Sequence, residues 1–199
     1  MNSESARPGR VRGRWVVAAL FLIFFLPVAI AWLINVDPPD WLPLAKSNYG
    51  DLFRPPVPFP ITHLETVEAR PINPGLLLGK WTLVHVEPGA CLAECDRAVF
   101  RMRQARFALG KDMQRIQRIL IAKPEAARDS AQRLQSGDGT IEVVAATPAW
   151  FERASFFRPG AEIYLLDPQG YLVSSYAKDA DPNGLISDLE RLLKISKIG

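Results

Sequence analysis

The sequence has few of the side chains that carry thiol, redox or soft-metal chemistry. Its 199 residues include two cysteines, two histidines and three methionines. It also lacks internal repeats, and it lacks an excess of one charge beyond Trp15, where 20 basic residues face 20 acidic ones. A folded region without net charge gives no reason to expect nucleic acid as a partner. The 48% content of hydrophobic residues excludes a disordered chain.

The longest apolar run predicts a membrane anchor. Residues 15–36 include no charged side chain over 22 positions, which is enough for a helix to cross a hydrocarbon core of about 30 Å. Four arginines in residues 1–14 place that end in the cytoplasm, so the chain beyond the run lies on the extracytoplasmic, periplasmic side of the inner membrane. The alternative is a signal peptide cleaved after the small residues at 29–31. We favour a single-pass, uncleaved anchor because the run exceeds the usual signal core of about 7–15 residues.

The next segment, residues 37–60, is rich in proline. Proline density of this kind excludes regular helix and central strand. We therefore expect a semi-rigid spacer here, followed by an exported domain over residues 61–199.

The remainder alternates between β-rich runs and segments of helical period. Strands are predicted at 81–87, 116–122 and 140–146, helices at 91–110, 124–135 and 148–155, and a hairpin around Asp167–Gly170. Asp181 and Pro182 then cap a last amphipathic helix that extends to about residue 195. A strand leading into a long helix, with a closing hairpin and helix, predicts the α/β class and a thioredoxin-like domain.

The two cysteines, Cys91 and Cys95, form a CxxxC pair at the start of the first predicted helix of that domain. The helix dipole and the free N–H groups there favour a thiolate, so the pKa of the Cys91 thiol should fall. Positions i and i+4 share a helix face with Cα atoms about 6 Å apart, which suits a disulfide or two sulfurs on one soft metal ion. There are two alternatives to a functional pair. The cysteines could be buried core residues that lie close together by coincidence, or they could form a static structural disulfide. The latter would close too short a loop to constrain the unfolded chain much.

The stretch "GKWTLVHVEPGACLAEC" at 79–95, which contains the cysteine pair, resembles the corresponding segment of the Sco/SenC family. These are membrane-anchored, thioredoxin-like, copper-handling proteins that help to assemble the CuA centre of cytochrome c oxidase. The stretch "IYLLDPQG" at 163–170 resembles a later landmark of the family. The resemblance spans roughly residues 75–195, and the fold that it implies is Sco/peroxiredoxin-like. It also implies that Cys91 and Cys95 are the two sulfur ligands of Cu(I).

The sequence departs from the family at the third ligand. The family's metal-binding histidine falls five residues before the tyrosine of the second landmark, and Pro159 occupies that position here. Proline cannot bind a metal. The proline and aspartate that commonly follow the first cysteine are replaced by Leu92 and Ala93. The family's nitrogen ligand therefore does not carry over.

Other side chains could complete a metal site. His85, near the end of the strand that precedes the pair, could approach the sulfurs, although a histidine on a buried strand is more often a core residue. Met102 lies two helical turns beyond the pair and could offer a thioether to Cu(I), with core packing as the alternative. Glu87 and Glu94 flank the pair as carboxylates that could tune its charge or remain solvated. His63 is expected at the surface.

The sequence predicts a membrane-anchored, Sco-like accessory protein for cytochrome c oxidase assembly. It would act in thiol–disulfide exchange, as an oxidoreductase, or in weak Cu(I) handling through Cys91 and Cys95, and its partner would be an oxidase subunit or assembly factor. The alternative is a non-catalytic thioredoxin-like scaffold with vestigial cysteines. A peroxidase is disfavoured because no arginine or threonine lies close before Cys91 to activate a peroxide.

Overall fold

The structure is a computed structural model that describes residues 10–36, 48–135 and 139–196. The chain divides after Ser47 into two compact units. The first contains one helix, α1 (Arg10–Val36). Within α1 the segment Gly13–Ile34 has a mean hydropathy of 2.8 and is long and apolar enough to cross a membrane.

The second unit contains a sheet of seven strands among the described residues. The strands are β1 (Asp51–Pro58), β2 (Leu64–Glu65), β3 (Trp81–Glu87), β4 (Ile116–Ala122), β5 (Glu142–Ala146), β6 (Ala161–Leu166) and β7 (Tyr171–Ala177). The α-helices of this unit are α2 (Ala93–Ala108), α3 (Pro124–Gln135), α4 (Pro148–Arg153) and α5 (Pro182–Ile195). Short 3-10 helices occupy Pro74–Leu77 and Gly110–Arg115.

The strand order is β1-β7-β6-β3-β4-β5-β2. Strands β3, β4 and β5 are parallel, because the helices α2 and α3 carry the chain back between them. β6 and β7 form the predicted hairpin, and β6 runs antiparallel to β3 in the centre of the sheet. This is the predicted α/β, thioredoxin-like fold, and it puts the end of β3 and the start of α2 next to β6.

Several predicted elements have the bounds that the sequence indicated. β3, β4 and α3 begin and end at the predicted residues, and Asp181 caps α5 by accepting a hydrogen bond from the Asn183 N–H. α2 is shorter than predicted at both ends. It begins at Ala93, and its last turn passes into a 3-10 helix at Gly110, which has a φ of +54°.

The prediction of a spacer over residues 37–60 is wrong for its second half. Asp51–Pro58 forms the edge strand β1, antiparallel to β7, with an irregular register between Leu52 and Val57. Phe53 and Phe59 are buried in the core. An edge strand tolerates prolines because the N–H groups on its outer side have no neighbouring strand to pair with. Where the register is irregular, fewer N–H groups on the inner side are needed as well. Residues 37–47 lie outside the described residues, so the spacer there stays a prediction.

The sheet separates two apolar clusters, and β3 contributes to both by its two-residue alternation. Val84 packs in the cluster around Trp150 and the edge strand. Leu83 packs in the other cluster, with α2 and α5. Alternation then directs His85 and Glu87 to the same face as Leu83, the face on which α2 lies.

Candidate redox and metal site

Cys91 and Cys95 are joined by a disulfide, with their Cα atoms 5.1 Å apart. The two sulfurs differ in access. Cys95 lies in the first turn of α2, faces the sheet and is fully buried, whereas Cys91 precedes the helix and is partly exposed. An external thiol or disulfide therefore reaches Cys91 first.

The start of α2 is built for negative charge. Leu92 holds an extended backbone at the N-cap without a side-chain cap, so the first N–H groups of the helix keep their positive potential. Glu94 and Asp96 occupy the first turn. A disulfide cysteine does not titrate, so the lowered pKa expected for Cys91 concerns the reduced form and stays a prediction.

Arg133 of α3 forms hydrogen bonds both to the backbone at Cys91 and to Asp96 in the first turn of α2. Its guanidinium donates to the carbonyl oxygen of Cys91 at 3.0 Å and to Asp96 Oδ1 at 3.2 Å. The positive charge consequently lies within a few ångströms of the Cys91 backbone. In the reduced protein it would favour the Cys91 thiolate over the thiol.

A second ion pair holds the first turn of α2. Lys178, just beyond β7, pairs with Glu94. This lysine is the main reason that the pKa of the exposed Glu94 carboxyl lies below its ordinary value. The turn that carries Cys95 is thus tied to the sheet by Lys178 and to α3 by Arg133.

His85 lies in the interior next to the pair, with 8% of its side chain exposed. Its Nδ1 atom is 2.6 Å from the carbonyl oxygen of Glu162 on β6. A carbonyl can only accept, so Nδ1 carries the hydrogen and donates it. The other ring nitrogen, Nε2, is buried and has no hydrogen-bond partner in the described part of the chain.

Glu87 completes a group with His85 and Cys95. A carboxylate oxygen of Glu87 lies 3.8 Å from His85 Nε2, and one donor atom from each of the three residues lies within 4.8 Å of the others. The His85 ring lowers the pKa of the Glu87 carboxyl, against the opposing effect of partial burial, and the Gly89 N–H adds to the lowering by donating at 3.0 Å. Glu87 is therefore a carboxylate at neutral pH.

The other candidates from the sequence lie elsewhere. Met102 is fully buried in the apolar cluster between α2, α5 and the sheet. His63 is exposed in a turn, with a φ of +69°. Pro159 is exposed in the turn before β6, where its neighbour Arg158 donates to backbone carbonyls of β1. The turn that would carry the family's histidine thus holds the edge strand in this chain.

A groove of about 410 Å³ opens beside the accessible cysteine. One wall is formed by Ala90, Cys91 and Leu92, and the other by residues of α3 that include Ala126 and Arg133. Leu92 is 70% exposed there. The groove gives an extended segment of another protein room to lie against Cys91.

Two contributors to the site were not identified from the sequence. Arg133 and the Glu162 carbonyl reach it through contacts 42 and 77 residues apart in the chain, and no local pattern predicts such pairs. Glu87 was identified as a carboxylate that flanks the pair. Strand alternation puts it on the same face as His85, but the sequence did not give its distance to the sulfur of Cys95.

Comparison with protein families gives one match. Residues 81–196 match the family model described as "Transmembrane-like, thioredoxin-like, C-terminal domain". A search of curated proteins finds no significant match.

Solved structures with a similar fold include Sco proteins and a thiol–disulfide protein. Copper-bound ScoI from Arabidopsis thaliana has a TM-score of 0.54 at 13% identity, over 74% of this chain and 99% of that one. BsSco is a member of the Sco family of cytochrome c oxidase assembly proteins in which a disulfide switch was identified. It has a TM-score of 0.54 at 14% identity, over 74% of this chain and 98% of that one. A thiol:disulfide interchange protein from Bacteroides sp. has a TM-score of 0.54 at 14% identity, over 71% and 91%.

At these identities the likeness establishes the fold, and the resemblance read from the sequence is confirmed at that level. The copper site that the resemblance implies does not fit this chain unchanged. Its two sulfurs are present as a disulfide, and Pro159 stands where the nitrogen donor would be. The chain instead offers His85 Nε2 and a Glu87 carboxylate next to the sulfur of Cys95.

Proposed function

Because the chain belongs to the transmembrane-like, thioredoxin-like family, we propose that it is a membrane-anchored protein that exchanges disulfides through Cys91 and Cys95 during cytochrome c oxidase assembly. The observation that carries the proposal is the asymmetry of the pair. One sulfur lies partly exposed beside a groove and the other is fully buried in the first turn of a helix. Thiol–disulfide exchange needs an accessible attacking sulfur and a protected second sulfur that closes the intramolecular bond.

In the reduced protein the Cys91 thiolate attacks one sulfur of a partner disulfide. A bond forms between Cys91 Sγ and that sulfur, the partner S–S bond breaks, and the second partner sulfur leaves as a thiolate that takes a proton from solvent. Cys95, as a thiolate, then attacks Cys91 Sγ and displaces the first partner sulfur. The partner gains two electrons and two protons, and the chain is left with the Cys91–Cys95 disulfide.

The chain's own groups assist both steps. The helix N-terminus and the Arg133 guanidinium stabilise the Cys91 thiolate that attacks in the first step. The tie from Arg133 to Asp96 holds the loop close to the first turn of α2, so Cys95 remains within reach of the mixed disulfide. The groove beside Cys91 receives the partner segment.

The proposed location is the periplasmic side of the inner membrane, with the chain held by a single anchor. It is supported by the helix Gly13–Ile34, which is long and apolar enough to cross a membrane, and by the four arginines of residues 1–14 in the sequence. Disulfide chemistry persists in that compartment. An oxidase subunit or assembly factor is the partner class, which is supported by the Sco resemblance and by the oxidase-assembly role given for BsSco.

Weak Cu(I) handling is the second candidate. It is supported by the two sulfurs, which become thiolates on reduction, and by the copper bound to a relative of the same fold. Two thiolates suffice for a soft monovalent ion, and a partner side chain would supply any further donor.

Trapping tests the exchange proposal. In Cys95→Ala the mixed disulfide cannot be resolved, so we expect a covalent adduct between Cys91 and an oxidase-assembly protein in membranes after acid quenching. The adduct should vanish on reduction and be absent from the matched Cys91→Ser, Cys95→Ala variant. Full oxidase assembly in the doubly substituted strain, with no adduct in Cys95→Ala, would support the scaffold instead.

A further inference from the structure

Three residues with metal-binding side chains lie between β3 and α2, in an otherwise apolar cluster. Donor atoms of His85, Glu87 and Cys95 lie within 4.8 Å of one another. Cys95 is fully buried, and the side chains of His85 and Glu87 are 8% and 20% exposed. Burying a nitrogen and a carboxylate beside a sulfur costs free energy unless they find partners.

His85 is held as a metal ligand would be held. Its Nδ1–H donates to the Glu162 carbonyl at 2.6 Å, which fixes the ring and leaves Nε2 facing Glu87 and Cys95. Nε2 is buried and without a hydrogen-bond partner in the described residues. Metal-ligating histidines almost always donate their second ring N–H to a carbonyl or carboxylate in this way. Nε2 makes no hydrogen bond within the described residues and has the Glu87 carboxylate 3.8 Å away, so it is oriented to bind a metal ion together with that carboxylate.

Reduction of the pair adds two thiolates to this group. Cys91 Sγ is bonded to Cys95 Sγ, so the two sulfurs start next to each other when the disulfide is reduced. The donor set then comprises two sulfurs, one imidazole nitrogen and one carboxylate oxygen. Four such donors are the number and kind that Zn²⁺ binds tetrahedrally at about 2.0–2.3 Å.

We propose that the reduced protein binds one divalent ion of the zinc class through Cys91, Cys95, His85 and Glu87, and that the disulfide form does not. The inference rests on the proposed function only in that the pair must open to two thiols. It differs from Cu(I) held between two thiolates, which would need neither His85 nor Glu87. Three anionic donors, one of them a carboxylate oxygen, favour a divalent ion of intermediate softness over a soft monovalent one.

Co²⁺ is the probe, because thiolate-bound tetrahedral Co²⁺ absorbs in the near ultraviolet and visible ranges. The full chain in detergent is reduced with a phosphine and titrated anaerobically with Co²⁺ and then with Zn²⁺. We expect one Co²⁺ per chain with thiolate charge-transfer bands, displacement by Zn²⁺, and no bands in the disulfide form.

Two variants test the ligands against matched controls. His85→Asn keeps a donor for the Glu162 carbonyl but removes Nε2, and Glu87→Gln removes the carboxylate from a partly exposed position. Each should weaken Co²⁺ binding by at least about tenfold. His63→Ala and Glu190→Gln remove a surface histidine and an exposed carboxylate of α5, and both should bind like the parent.

The inference is overturned if the reduced parent gives no thiolate–Co²⁺ bands, or if His85→Asn and Glu87→Gln both bind as tightly as the parent. A reduced protein that still exchanges with a small disulfide but gives no bands would remove the metal site and leave the exchange proposal standing. Loss of exchange with intact Co²⁺ bands would do the reverse.

Discussion

The His85 ring donates from Nδ1 to the carbonyl oxygen of Glu162, 2.6 Å away on the neighbouring strand. This bond connects β3 to β6 and orients the imidazole, so that Nε2 faces a carboxylate and the buried sulfur of the cysteine pair. Pro159 occupies the position of the histidine ligand in Sco proteins. In this chain His85 on β3 provides a nitrogen atom near the sulfurs instead.

The two thiols of the reduced protein should differ in reactivity. Cys95 is fully buried and Cys91 is partly exposed, so we expect iodoacetamide to modify Cys91 at least about tenfold faster. Brief alkylation of the reduced protein, followed by peptide mass spectrometry, gives the ratio. Equal rates would contradict the division of the pair into an attacking and a resolving sulfur.

Arg133→Ala should make Cys91 less reactive. The change removes a positive charge near Cys91 and releases the Asp96 carboxylate, and both effects raise the pKa of the thiol. The pH dependence of alkylation in the reduced protein should therefore shift to higher pH. Arg128→Ala is the control, because that exposed arginine of the same helix donates to the Val67 carbonyl and to no other group in the described part of the chain. An unchanged midpoint in Arg133→Ala would exclude this role.

Phe59→Ala should destabilise the domain by about 3–5 kcal/mol. Phe59 follows the edge strand, is 5% exposed and packs on Trp150 and Phe156, with ring centroids 5.8 and 5.4 Å away. Denaturant unfolding monitored by tryptophan fluorescence measures the loss. The control is Phe100→Ala at an exposed position, where we expect less than about 0.5 kcal/mol. No loss in Phe59→Ala would mean that this segment is a spacer after all.

Stability should fall in alkaline solution partly through Tyr176. Burial raises the pKa of its hydroxyl, which donates to Asp188 at 3.2 Å. The unfolded tyrosine ionises near pH 10, so the unfolded state loses its proton first as the pH rises. The contribution of Tyr176 is therefore complete below about pH 10 and declines above it.

Tyr176→Phe separates this effect from that of other groups. We expect a loss of about 1 kcal/mol at neutral pH from the missing hydrogen bond, and a shallower decline of unfolding free energy above pH 10. Urea unfolding at a series of pH values gives both. Equal slopes for the parent and Tyr176→Phe would show that the hydroxyl is not protected from ionisation by the fold.

The sequence predicted those parts of the fold that local pattern controls. β3, β4 and α3 were placed correctly because apolar runs and helical periods there end at glycine or proline. β1 was missed because its prolines argue against a strand, and only its pairing with β7 at the sheet edge compensates for them. In the site, the cysteines and His85 were identified, whereas Arg133 and the Glu162 carbonyl depend on long-range packing.

The central claim is that the pair is an exchanging dithiol, and equilibration in redox buffers tests it most directly. The full chain in detergent is equilibrated in thiol–disulfide buffers of graded potential, quenched with acid and alkylated, and the fraction of disulfide is counted by mass. We expect one two-electron transition above about −300 mV, with Cys91 forming mixed disulfides along it. A pair that stays oxidised through the whole series, and opens only when the domain unfolds, would be a structural disulfide and would contradict the account.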